Sequence, residues 1–443
     1  MKYISCILFL ISNLVFAQHT IKGVFSPPEN YEVALLYKVT PTISQYVTNA
    51  EVKDDGSFVF NLDANAQEGM YRIVYAVPQE DFNFDVIYNK KENIELTFNT
   101  ETGIKFKTSS ENKLLASYTS SMSMITGSIT KFFREKSKDS MALKAIFKTQ
   151  IETQANYEKL AKGTLALNFI KANKPYTPKK FVNVETYISN LKTHYFDAID
   201  FTNPVLQSSS FLEERMLNYI FGISDDNLYE NTNYKNNIDV FCKALQPAPL
   251  KVKRILLTSL WQQMADLKNE TVANYISDKY LIPIAKDLND TALIKSLSLF
   301  RNLSFGHVAP DFALEITKDG KKVASKLSEL KSAKNYIIVF WSSTCSHCLN
   351  EVPQLKTYVE TLKKEDLKVI AIALEEEPSK WKSLTQKFPN FIHVYGAGKW
   401  ENKICDAYGV FETPTYFILD KEKRIVNKPR DLKELMDYFG RKK

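Results

Sequence analysis

Two cysteines separated by two residues, Cys345 and Cys348, carry the most specific chemistry in this 443-residue chain. They follow the apolar run 336–341 and the turn Ser342-Ser343-Thr344, and they precede a helix-like stretch at 349–363. A thiol at the start of a helix meets free N–H groups and the positive end of the helix dipole. Both favour the thiolate, which is the reactive form. The spacing sets Cys348 about one helical turn further on, within reach of a disulfide with Cys345. The pair predicts dithiol–disulfide exchange, in which Cys345 attacks a partner and Cys348, buried deeper, resolves the mixed disulfide.

The neighbours of the pair have readable roles. Glu351 lies three residues after Cys348 on the same helical face. A partly buried carboxylate there can take or return the proton of Cys348, and the alternative is a solvated helix charge. His347 stands between the two cysteines, where a cationic imidazole favours the thiolate and makes the couple more oxidising. Trp341 is read as packing beneath the turn, with contact to a partner as the alternative. Pro353 predicts a kink in the helix behind the motif.

A C-x-x-C pair can also be half of a zinc site, which takes four ligands. Here Cys242 and Cys405 are isolated, no second close pair exists, and His347 is poorly placed between the cysteines. The expectation is therefore no metal, and no cofactor beyond a redox-active Cys345–Cys348 disulfide. Cys242 and Cys405 read as buried small hydrophobes, with a mutual disulfide as the less favoured alternative.

Three regions must position this chemistry. At about 150 residues per domain, the length suggests roughly three domains. With 44% hydrophobic and 25% charged residues, the chain can bury real cores. Lys+Arg minus Asp+Glu is 58 − 51 = +7, dispersed along the sequence, so nucleic acid is not an expected partner. Five cysteines are too few to staple a fold of this size. Residues 1–17 read as a cleaved export signal: Lys2, an apolar stretch at 4–16, and Val15-Phe16-Ala17 before the cut. Cys6 precedes most of that stretch, so it is not a lipidation site and leaves with the signal.

Residues 18–108 hold seven short alternating runs, at 20–26, 32–39, 46–53, 57–62, 71–77, 82–88 and 94–98, which predict a β-sandwich. Residues 109–302 change to three- and four-residue spacing, as in Leu212/Met216/Ile220, and predict packed amphipathic helices. In 306–443, strand-like runs at 336–341, 369–374, 391–394 and 415–419 alternate with helix-like runs at 349–363, 378–387, 400–407 and 431–439. That alternation predicts an α/β domain with a central sheet. The fold class is thus multidomain: N-terminal β-sandwich, central α-helical region and C-terminal α/β domain.

The last region resembles the thioredoxin-fold domains of exported TlpA/ResA-type thiol–disulfide oxidoreductases. The matching residues are Ala309-Pro310-Asp311-Phe312, Phe340-Trp341, Cys345/Cys348, Glu351, Pro353 and Tyr408-Gly409-Val410 through Thr413-Pro414-Thr415 to Asp420. The segment 50–60 resembles the small sandwich that precedes such domains in exported Bacteroidetes proteins, and the Val-Phe-Ala-Gln ending of the signal is similar to theirs.

The resemblance implies a cis Pro414 facing the cysteines, with the Thr413 backbone holding an extended partner segment. It implies an extra β-α unit within 369–395, since 66 residues separate Cys348 from Pro414 (414 − 348). It gives Glu351 the position of a ResA-type glutamate, whereas cytoplasmic thioredoxins carry a buried Asp where Val339 stands. It implies disulfide-containing envelope proteins as partners, apocytochrome c among them, and a membrane thiol reductase as electron donor in the periplasm or cell envelope. The family is reducing, while His347 matches the slot of strongly oxidising DsbA-type proteins. Two other functions compete. A peroxiredoxin-like peroxidase shares the Ala-Pro-Asp-Phe start but needs Thr where Ser342 stands. A partner-binding protein would use the sandwich and helices, with the redox domain as an accessory.

Overall fold

The computed structural model describes residues 19–39, 44–79, 81–223, 229–318, 320–363 and 365–440. The proposed export signal, residues 1–17, lies outside them. The chain divides into two compact units, Met1–Leu260 and Trp261–Lys443.

The first unit begins with eight strands: β1 Thr20–Ser26, β2 Val33–Lys38, β3 Gln45–Glu51, β4 Ser57–Asn61, β5 Gly69–Val74, β6 Asn83–Tyr88, β7 Ile94–Asn99 and β8 Gly103–Phe106. They form two four-stranded sheets, ordered β4-β1-β7-β8 and β3-β2-β5-β6. Alternating inward residues of both sheets, such as Ile21, Leu36, Phe58, Ile73 and Leu96, share one buried core, as a sandwich requires. Seven of the strands follow the alternating runs of the sequence, and β8 adds an eighth.

Helices follow: α1 Ser110–Arg134, α2 Ser140–Leu160, α3 Ala166–Ala172, α4 Val184–Thr193, α5 Pro204–Gln207, α6 Phe211–Gly222, α7 Glu230–Ala244 and α8 Leu250–Asp266. Their apolar stripes meet, as where Ile125, Ile129 and Phe132 of α1 pack with Leu143 and Phe147 of α2 and Tyr187 of α4. The start of α1 is tied to the sandwich by buried Asn112, whose amide bonds both the N–H (2.8 Å) and the C=O (2.7 Å) of Ile87.

The second unit starts within α8 and continues through α9 Glu270–Ile276, a π-turn at Ser277–Leu281, α10 Ile282–Asp287 and α11 Thr291–Asn302. Then come the hairpin β9 Ala313–Lys318 and β10 Lys321–Lys326, β11 Asn335–Trp341, α12 Ser346–Glu360, β12 Leu367–Glu375, α13 Pro378–Thr385, β13 Ile392–Ala397, α14 Lys403–Ala407, β14 Thr415–Asp420, β15 Ile425–Asn427 and α15 Leu432–Gly440. The main sheet runs β13-β12-β11-β14-β15. β11, β12 and β13 are parallel, and β14 and β15 are antiparallel to their neighbours. This is the thioredoxin fold, with α13 and β13 as the extra β-α unit after β12.

Side chains of β11 alternate between two cores. Ile337, Val339 and Trp341 pack under α12 and α15. Tyr336, Ile338 and Phe340 face the other side, against Tyr408 and the segment 309–314. Leu303 belongs to that second core, and Leu299 of α11 packs on it. Helices up to residue 302 were expected in one central region. The three helices α9 to α11 instead share a compact unit with the C-terminal sheet. Glu270 of α9 accepts the Phe305 N–H (2.6 Å) and pairs with Lys428, whose ammonium also donates to the Leu303 carbonyl (3.1 Å). Among the described residues no helix is long and apolar enough to cross a membrane.

Candidate active site

The buried strand β11 delivers the chain to the turn 342–344, and Cys345 is the N-cap of α12. Its sulfur accepts the N–H of Cys348 at 3.2 Å, so the cysteine takes the place that Ser or Asp fills at most helix starts. Cys345 is partly exposed and Cys348 fully buried, and both are free thiols. The structure therefore holds the dithiol form.

The two sulfurs differ electrostatically. Burial pushes the Cys345 thiol up, but the Cys348 thiol, the Thr413 side chain and the N–H groups of Cys348 and His347 all hydrogen-bond to its sulfur. Together they hold it below its ordinary value. The Cys348 thiol is pushed up to about 12, first by burial and then by donating its hydrogen bond to Cys345. The two sulfurs are thus unequal: the Cys345 thiol is shifted toward the thiolate and the Cys348 thiol away from it.

Across the turn, the Thr413–Pro414 bond is cis, and the Cys345 thiol reaches the Thr413 carbonyl at 3.3 Å. Thr413 and Pro414 are both partly exposed. An extended partner segment can reach the Thr413 backbone at the same mouth where it meets Cys345. The turn is held from beneath by Glu375, buried at the end of β12, whose carboxylate accepts the Ser343 N–H. Sequence reasoning missed Glu375. Its mark was an acid ending the apolar run Ile370-Ala371-Ile372-Ala373-Leu374.

Glu351 is not a solvated helix charge. It is partly buried, and its Oε2 accepts the Tyr416 hydroxyl at 2.8 Å and the Leu432 N–H at 3.3 Å. His347 is exposed, and it is its backbone N–H that reaches the Cys345 sulfur. Trp341 is fully buried and packs edge-on against Phe388, with centroids 6.1 Å apart. It offers no surface to a partner, so the substrate-contact alternative is corrected to packing beneath the turn. Pro353 lies inside α12, which continues through it. Cys405 is buried and donates to the Val410 carbonyl at 3.0 Å.

The other motif residues serve the frame. The Tyr408 hydroxyl donates to the Pro310 carbonyl at 2.7 Å, and Asp311 accepts the N–H (2.9 Å) and hydroxyl (2.8 Å) of Ser328. Among the described residues no cluster of three or more His, Cys, Asp or Glu has a metal-binding arrangement.

The family-model match lies within this second unit. A model of the AhpC/TSA family matches residues 305–428. The thiol-disulfide oxidoreductase ResA of Bacillus thuringiensis strain Al Hakam is 30% identical over 129 residues, 28% of this chain and 68% of that protein. ResA of Bacillus subtilis strain 168 is 28% identical over 130 residues, 28% of this chain and 66% of that protein. Among solved structures, a thioredoxin-like protein from Bacteroides caccae superposes with TM-score 0.32 at 20% identity, over 61% of this chain and 98% of that one. A domain of a possible thiol-disulfide isomerase from Cytophaga hutchinsonii gives 0.26 at 25% identity, over 31% and 92%.

Proposed function

The chain belongs, through its C-terminal domain, to the ResA-type thiol–disulfide oxidoreductases, and from that premise we propose that it reduces disulfides of envelope proteins after export. The observation that carries the proposal is the inequality of the two sulfurs. Cys345 is partly exposed and held toward the thiolate, while Cys348 is buried with its thiol pushed up to about 12.

In the forward reaction the Cys345 thiolate attacks one sulfur of a partner disulfide. A mixed disulfide forms, and the other partner sulfur leaves as a thiolate. Cys348 then loses its proton to Glu351 and attacks the Cys345 sulfur. The Cys345–Cys348 bond forms and the second partner sulfur is released. Two electrons have passed to the partner, and a membrane thiol reductase restores the dithiol. The cis Pro414 loop offers the Thr413 carbonyl to the partner backbone. The N-terminal segment, read as an export signal, supports a periplasmic or envelope location, where such disulfides occur. Apocytochrome c is one partner of suitable chemistry.

A Cys348→Ala variant tests this. Expressed in the parent cell, it accumulates mixed disulfides on Cys345 that are recovered with the purified protein, and the wild type reduces insulin. No adducts together with no insulin reduction would remove the assignment. The AhpC/TSA match gives a second reading, peroxide reduction, some weight. Peroxide consumption at peroxiredoxin-like rates, dependent on Cys345, would favour it over disulfide exchange.

A further inference from the structure

The resolving step needs a group to take the proton of Cys348, and the strand beneath Cys348 supplies none. Val339 of β11 is apolar and fully buried. Its partner across the antiparallel pair is Tyr416 of β14. Directly opposed residues of such a pair project to the same face. Val339, Tyr416 and Cys348 accordingly share one core beneath α12.

A buried phenol must place its hydroxyl on a partner. Tyr416 is 1% exposed, and its hydroxyl donates to Glu351 Oε2 at 2.8 Å. The Leu432 N–H, at the first turn of α15, donates to the same oxygen at 3.3 Å. The titratable groups that act on the Tyr416 phenol are Glu351, Cys348 on the same helix as Glu351, and Asp431, which caps α15 through the Glu434 N–H. The phenol is pushed far above its ordinary value. Burial contributes most, followed by the hydrogen bond to Glu351 and the charges of Glu351, Cys348 and Asp431. It therefore remains a donor at any working pH and cannot itself take the proton.

We propose that Tyr416 is a positioning residue for the resolving step: its hydroxyl, brought across the sheet beside Val339, fixes the Glu351 carboxylate as the proton acceptor for Cys348. The proposal rests on the dithiol-exchange reading above. In the step it serves, the Cys348 S–H bond breaks and its proton passes to Glu351. The Cys348 thiolate forms the bond to Cys345, the bond from Cys345 to the partner sulfur breaks, and that electron pair leaves with the partner thiolate. The thiolate then takes a proton. Among the described residues, loss of the Tyr416 hydroxyl leaves the Glu351 carboxylate with the longer Leu432 N–H contact and frees it to reorient.

The test uses the reduced full-length chain and Ellman's reagent under single-turnover conditions. Attack by Cys345 releases the first coloured thiolate, and resolution by Cys348 releases the second. Tyr416→Phe is expected to slow the second phase about tenfold, the scale of one lost hydrogen bond to a charged group, and to move its pH profile upward. The first phase is the internal reference. In a Glu351→Gln background the same change is expected to alter the second phase by less than about twofold, because the two residues act as one unit. Equal slowing in both backgrounds would mean a packing role and overturn the proposal, as would no slowing with Glu351 present. Absence of any second phase in the wild type would instead overturn the dithiol-exchange reading itself.

Discussion

The inequality of the two thiols can be read directly by alkylation. The Cys348 thiol rises from an ordinary 9.0 to about 12, so at any pH below both values its thiolate fraction falls about a thousandfold. A more basic thiolate is intrinsically more nucleophilic, and with a Brønsted coefficient of about 0.45 this returns about a factor of twenty. The net result is alkylation about fiftyfold slower than that of an ordinary thiol, before counting its complete burial. Cys345 goes the other way. Its lowered value means that the thiolate appears at lower pH, so its rate climbs through a midpoint below 9.0 and then levels, while that of Cys348 still rises above pH 9. The assay is a short iodoacetamide pulse on the reduced native chain across pH 6–10. Unfolding, a second label and mass mapping of both cysteines follow, with unfolded protein as the reference for equal reactivity. Labelling of Cys348 within threefold of Cys345 at neutral pH, or a Cys345 midpoint above 9.0, would refute the electrostatic argument.

Two further expectations concern the frame. A Cβ on Gly23 of β1 would stand 2.2 Å from the ring of its cross-strand partner Phe58, itself stacked on Phe25, so Gly23→Ala should destabilise the sandwich by about 2 kcal/mol. Urea unfolding reads this, and a loss below about 0.5 kcal/mol would show that the ring yields freely. Glu270→Gln removes the charge that answers Lys428 and should cost the second unit about 2 kcal/mol, seen as a lower urea midpoint. An unchanged midpoint would mean that this ion pair holds nothing.

What the sequence revealed followed the strength of local pattern. Seven sandwich strands stood out because their apolar residues alternate. β8, only Gly103–Phe106 and without a fully buried residue, had no such pattern. Cys345, Cys348 and Glu351 were legible because their types and spacing carry chemistry, whereas the cis Pro414 was implied by the family resemblance. Tyr416 was not, since inside Thr415-Tyr416-Phe417-Ile418-Leu419 an aromatic is what any buried strand would show. Only its register opposite Val339 reveals the hydroxyl's destination, and register is a long-range property. Hence Trp341, four residues before the motif, and His347, inside it, contribute packing and a backbone N–H, while a residue 65 positions from Glu351 makes the closest polar contact to it.

The division between compact units lies elsewhere than the change from helix to strand. Composition shifts near residue 302, where helical spacing ends, but α9 to α11 already belong to the sheet that follows. Packing sets the boundary and periodicity does not register it.

That seam bears on what can be inherited as a piece. A gene segment beginning at residue 306 would carry every residue of the thiol chemistry. It would also bare the core under Leu299 and Leu303 and leave Lys428 without its carboxylate. Gly409, at φ +57 and 3.2 Å by its would-be Cβ from Leu299, would lose the surface it is shaped to meet, four residues before Thr413. A segment beginning near Trp261 keeps all of these together. In this chain the redox domain therefore carries a surface shaped to α11, which a cut at residue 306 would leave bare.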